Sequence, residues 1–194
     1  MSGKRAAAAI HAPAPPRRKP LAPSLMRTVC EMKNLGDDCE GFATDMPNED
    51  KMDIVNVYFP YHTFAEDAPA LAQELMLSPT AGAQLPQNVV DPSVVLELRF
   101  PNTYPADPPF ARVVRPRFQQ WTGHVTIGGS ICTAALTRSE WKPDISASAL
   151  LLSLHRNIID GQGRLLNSPN EPDYSFAEAR EAFNRVARDH GWQI

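Results

Sequence analysis

Apolar side chains recur along this chain with changing spacing, and each change of spacing marks an element. Leu25, Val29 and Met32 fall at i, i+4 and i+7, one face of a helix. Ser24 is a fitting N-cap for it, and Asn34 and Gly36 are fitting stops. Two short strands are expected at 41–45 and 53–59, joined by a turn through Met46, Pro47, Asn48, Glu49 and Asp50. Residues 60–92 then break the strand pattern with five prolines, and only 64–77 reads as helix-capable. That is long for a connection, so 60–92 is expected to be an insertion between the second and third strands. Val94, Leu96, Leu98 and Phe100 alternate with Val95, Glu97 and Arg99, which predicts a half-buried strand. Pro101, Pro105, Pro108 and Pro109 end it. A fourth strand is expected at 111–115 and an irregular stretch at 116–145.

Two helices close the chain. One opens at Ser146, places Leu150, Leu151, Leu154 and Ile158 on one face, and stops at Gly161. The other opens on the capping pair Ser175 and Glu178, carries Phe176, Ala179, Phe183 and Val186, and stops at Gly191. The predicted order is an N-terminal helix, four consecutive strands, an irregular loop and two helices. Short links between consecutive strands favour an antiparallel meander, hence an α+β fold.

Composition narrows the class. At 194 residues one domain with some length to spare is expected, and a 43% hydrophobic content suffices for a core. No apolar run approaches the ~18 residues of a membrane span. Cys30, Cys39 and Cys132 are too few and too scattered for a disulfide scaffold or a metal site. They suit a reducing compartment, the cytoplasm or nucleus, and neither cofactor nor metal is expected. The net charge of −3 hides an asymmetry. Residues 1–22 hold five basic and no acidic residues, which leaves −8 on the remainder. An acidic core argues against nucleic acid as a partner. The Ala/Pro-rich segment 1–22 is expected to be a disordered, solvated tail, with a nuclear import signal as the other reading. Residues 23–194 would form the core domain.

The candidate chemistry centres on Cys132. It follows Gly128-Gly129-Ser130-Ile131, and Trp141-Lys142-Pro143 begins nine residues after it. Upstream lies a proline-aromatic strap, Phe100 through Tyr104-Pro105-Ala106-Asp107 to Pro109. In that order and spacing these segments resemble the ubiquitin-conjugating (E2) enzymes, over roughly residues 24–192. The Gly-Gly run, the 60–92 insertion and the ending Tyr174-Ser175…His190-Gly191-Trp192 look most like the Q-type branch.

The resemblance implies a UBC-like fold and a mechanism. An activating enzyme (E1) would load ubiquitin onto Cys132 as a thioester, and a substrate amine or a ligase (E3) thiol would then attack it. A thiolate is both a good nucleophile and a good leaving group. Free cysteine titrates at about 8.5, and unpaired N–H groups in the glycine-rich loop are expected to raise the thiolate fraction. Most relatives carry His-Pro-Asn ending eight residues before the cysteine; here those places hold Thr122-Gly123-His124. His124 is either an oxyanion donor through its ring or a backbone prop for the loop. The acid often found about 32 residues after the cysteine is replaced by Arg164 and Leu165, and Glu140, Asp144 and Asp160 are the stand-ins. An unusual acceptor, a hydroxyl or an N-terminal amine, is one consequence. Leu152 and Arg156 fall where relatives press on the carried ubiquitin. Tyr104, Pro105 and Ala106, with Pro143 and Asp144, occupy the ligase-facing loops, where Ala106 and Asp144 depart from the usual Phe and Ala. Trp141 is expected to cover the active-site loop.

Three other readings stay open. The chain could be a silent variant that only binds partners, or it could carry another ubiquitin-like modifier. A cysteine hydrolase would need a base, for which His124 and His155 are available.

Overall fold

The computed structural model describes residues 22–35, 39, 41–48, 52–166, 168 and 171–192. Residues 1–21, Gly36, Glu49 and Asp50 lie outside these, so neither the tail nor the full first turn is described.

Helix α1 spans Pro23–Lys33 and buries Leu25, Thr28, Val29 and Met32. It starts one residue before the expected cap. Proline suits the first helical position, where an N–H would lack a partner. The cap is therefore Ala22, without a side-chain bond. Ser24 serves another purpose, its hydroxyl lying 3.3 Å from the Tyr104 carbonyl.

Strands β1 (Ala43–Asp45), β2 (Ile54–Pro60), β3 (Ser93–Arg99) and β4 (Phe110–Arg115) form one sheet in the order β1-β2-β3-β4. Every neighbouring pair is antiparallel, with Ile54 opposite Arg99 and Pro60 opposite Ser93. The expected meander is present.

The expectation of a half-buried β3 is corrected, because every residue but Arg99 is buried. Val94, Leu96 and Leu98 enter the main core. On the other face Val95 meets Tyr58 and Val89 in a second cluster. Glu97 there accepts hydrogen bonds from Arg99 Nε at 2.6 Å and Arg112 Nε at 2.8 Å. Burial opposes its charge, but those bonds outweigh it and hold the carboxyl below its usual range. Alternation alone cannot tell a solvated charge from a buried, paired one.

The 61–92 connection is part of the core. A 3-10 turn at Tyr61–Phe64 leads to helix α2, Pro69–Leu77, shorter than the 64–77 expected because Pro69 sets its start. Phe64, Leu71 and Leu75 are among the largest fully buried side chains.

Helix α3, Ala147–Asp160, starts where Ser146 Oγ accepts from Ala149 N–H at 3.1 Å. Helix α4, Phe176–His190, starts on the Ser175–Glu178 capping box and ends on Gly191 in the left-handed region. Phe176 and Phe183 of α4 meet the Phe110 ring edge-on, which docks α4 beside β4.

Candidate active site

The chain just before Cys132 is a small hairpin added to the edge of β4. Val113 N–H donates to the Gly129 carbonyl at 2.7 Å, and Ile131 N–H donates to the Ala111 carbonyl at 3.0 Å. Gly129 N–H closes the turn on the Thr126 carbonyl at 2.8 Å, and Ser130 N–H reaches Thr126 Oγ1 at 3.0 Å. Cys132 N–H then donates to the His124 carbonyl at 2.7 Å. The thiol therefore leaves a backbone held on both flanks.

Two glycines let the rest of the molecule approach this hairpin. A Cβ on Gly128 would lie 2.3 Å from the Glu178 carbonyl in α4. Gly129 has φ +92°, and a Cβ there would lie 2.5 Å from the Tyr174 ring. The Gly-Gly run is a packing requirement of α4 and Tyr174. It is not a cradle of open amides, because the N–H groups from Gly129 to Cys132 are all bonded. The expectation of a raised thiolate fraction is accordingly corrected. Cys132 is half-buried, and burial pushes its thiol above the ordinary value.

His124 is exposed and takes φ +49°. Its carbonyl holds Cys132, and its backbone passes directly over Gly161 at the end of α3. A Cβ on Gly161 would lie 2.4 Å from His124 N and 2.7 Å from its ring Cδ2. Gly123 N–H donates to the Gly161 carbonyl at 2.7 Å. Farther out, Gln119 N–H donates to the Arg164 carbonyl at 2.8 Å and Arg164 N–H to Thr122 Oγ1 at 3.1 Å. The segment after α3 thus supports the loop before Cys132.

On the other side, the strap joins three elements. Tyr104 is buried, and its hydroxyl lies 3.0 Å from Thr28 Oγ1 of α1. The Tyr104–Pro105 bond is cis, and the Pro105 carbonyl accepts from Trp141 Nε1 at 2.7 Å. Arg138, in the loop after Cys132, pairs with Asp107 at 2.9 Å. Ala106, Pro143 and Asp144 are exposed, and Trp141 connects their two loops.

The remaining candidates are spread along α3. Leu152 is half-buried. Arg156 is exposed and pairs with Asp160 at 2.8 Å and Asp67 at 2.9 Å, so both it and Asp160 already have charged partners. Glu140 and Asp144 are exposed. His155 does not belong to the site. Its ring stacks on Phe64, meets Phe42 and Phe59, and lies 3.1 Å from Thr63 Oγ1. Burial lowers its pKa to about 4, which makes it a weak base, and its ring is already occupied by these core contacts. Among the described residues no cluster of His, Cys, Asp and Glu could hold a metal, and no helix is long and apolar enough to cross a membrane.

Glu74 and Tyr174 were not foreseen as part of this region. Glu74, on α2, binds Arg164 and the Leu165 amide. Its one signal in sequence is that it is the only charged residue in α2. Tyr174 lays its ring where a Gly129 side chain would stand, and its hydroxyl accepts from Phe118 N–H at 3.0 Å.

The sequence profile described as ubiquitin-conjugating enzyme matches residues 93–189, which include β3, β4, Cys132, α3 and most of α4. The chain belongs to the ubiquitin-conjugating enzyme family. Its relatives fall in the Q branch. A Drosophila melanogaster protein named as similar to the Q-type conjugating enzymes is 32% identical over 105 residues, 52% of this chain and 34% of that one. A human protein named in the same way is 33% identical over 104 residues, 51% of this chain and 63% of its own. The match thus spans less than two thirds of either relative. A solved ubiquitin-conjugating enzyme from Plasmodium falciparum is 20% identical, covers 73% of this chain and 88% of its own, and superposes with a TM-score of 0.47.

Proposed function

We propose that this ubiquitin-conjugating family member is an active E2 that accepts ubiquitin from an activating enzyme as a thioester on Cys132. It then passes ubiquitin to a substrate or a ligase. The observation that supports this most directly is the free, half-exposed Cys132 at the end of a hairpin anchored on both flanks, within the matched residues. A cysteine retained at that place favours the active reading over a silent binding variant, which would have no need of the thiol. The partners are ubiquitin, an E1 and an E3, and the place of work is the cytoplasm or nucleus.

In the reaction the Cys132 sulfur attacks the activated carboxyl of ubiquitin and loses its proton as the E1 thiol leaves. An acceptor then attacks the new thioester, and the Cys132 thiolate departs. Burial that raises the thiol pKa makes it a slower leaving group, so the charged state should persist until an acceptor is in place. The exposed His124 ring belongs to the residue whose carbonyl holds Cys132 N–H, and in this reading the ring donates to the oxyanion. Leu152 and the aliphatic stem of Arg156 would support the carried ubiquitin, while Tyr104 to Ala106 and Pro143 to Asp144 would face the ligase.

A charging assay tests the proposal. With E1, ATP and ubiquitin, the wild-type chain should give one reductant-sensitive band, absent from Cys132→Ala. No band with ubiquitin would reject it, and a band with a different modifier would reassign the cargo.

A further inference from the structure

Residues 61–92 leave β2, build α2 and return to β3, and α2 aims its one carboxylate at the far side of the active-site loop. Glu74 Oε1 accepts from Arg164 Nε at 2.7 Å and also from Arg164 Nη2. Its Oε2 accepts from the Leu165 backbone N–H at 2.7 Å. Both oxygens are therefore engaged, and the side chain is only 25% exposed. From this clamp a continuous ladder runs to the nucleophile. The Arg164 and Leu165 carbonyls accept from Gln119 N–H at 2.8 Å and Gln119 Nε2 at 3.0 Å. Thr122 Oγ1 accepts from Arg164 N–H at 3.1 Å, and Gly161 O from Gly123 N–H at 2.7 Å. The His124 carbonyl, next in the chain, holds Cys132 N–H at 2.7 Å.

The geometry points to Glu74 as a positioning residue for Cys132, delivered by the connection between β2 and β3; this rests on the reading of Cys132 as the thioester carrier. An exposed ion pair alone would do little. The bond to the Leu165 amide changes that, because Leu165 is buried and its N–H would otherwise lose its partner. Arg164, which stands at the register of the acid that the resemblance leads one to expect, is thus the partner of a carboxylate from α2, and that carboxylate acts on the loop's geometry.

The test uses the full chain with Glu74→Ala and Glu74→Gln. Hydrogen exchange of the uncharged protein is followed at 117–124, at Cys132 and in β3. Charged protein is then discharged to increasing free lysine. Glu74→Ala should exchange about ten-fold faster at the loop and at Cys132, the change expected when a charge-assisted bond is lost. Exchange in β3 should not change. The maximal discharge rate should fall several-fold at an unchanged half-saturating lysine concentration. Glu74→Gln, which keeps an acceptor for Leu165 N–H, should lie between. Unchanged loop exchange overturns the proposal, and so does a loosened loop with normal discharge. If wild type does not charge at all, the conjugating reading fails, and the exchange data alone decide whether Glu74 braces the loop.

Discussion

Cys132 illustrates how local context sets a thiol's chemistry. A glycine-rich run suggests open amides that would stabilise a thiolate, yet here each amide from Gly129 to Cys132 is already bonded. Burial then acts on the thiol, and it raises the pKa. Alkylation of Cys132 by iodoacetamide, followed by peptide mass, should therefore level off at a higher pH than for a free cysteine peptide. A midpoint at or below the peptide's would show that an unrecognised group stabilises the thiolate. His124 is the second residue whose role depends on its backbone. Its carbonyl anchors Cys132 whatever its ring does. A substitution to alanine keeps that bond, so it tests the ring separately.

At the scale of elements, the hairpin of 125–131 works because α4 lies against it. Arg117 braces the start of α4: its Nη2 donates to Glu178 Oε1 at 3.0 Å, and its guanidinium sits 4.3 Å from the centre of the Tyr174 ring that packs on Gly129. Glu178 is also held by the Ser175 amide and hydroxyl, and with Arg117 these bring its carboxyl down to about 2. The start of α4 is thereby fixed where Gly128 must pass. Gly128→Ala should push α4 away and lower stability by about 1–3 kcal/mol in urea unfolding. Gly82→Ala, with nothing within 4 Å of the new Cβ, is the control and should change little. Equal midpoints for the two variants would contradict the packing account.

At the scale of the whole molecule, His155 joins α3 to β2, to the segment before β1 and to the 61–64 turn. Burial dominates its titration and lowers it from 6.5 to about 4, against a raising influence from Asp67 and with a lowering one from Arg156. The unfolded chain takes up a proton between these values that the folded chain refuses. This contribution to stability is thus present above pH 6.5 and is lost as pH falls towards 4. The full loss is on the order of 3 kcal/mol. His155→Phe suits the aromatic surroundings and removes the titration. Urea midpoints measured from pH 7 to pH 4 should therefore fall less steeply for the variant than for wild type. Parallel curves would mean that the folded imidazole titrates normally.

Apolar spacing, short links and cap residues determined, by themselves, the strand meander and the ends of α3 and α4, because these depend on neighbours a few residues away. Ser146, Ser175, Glu178 and Gly191 act within one helical turn, so their roles are legible in sequence. Cys132 was legible as a candidate because its segments keep their order and spacing. Tertiary structure decided the rest. That Glu97 is buried, that His155 is core and that Phe64 and Leu75 belong to the interior depends on what covers them. Glu74 meets Arg164 across a separation of 90 residues. Local patterns record what a residue needs, whereas the long-range partner that meets the need is chosen only when the chain closes on itself.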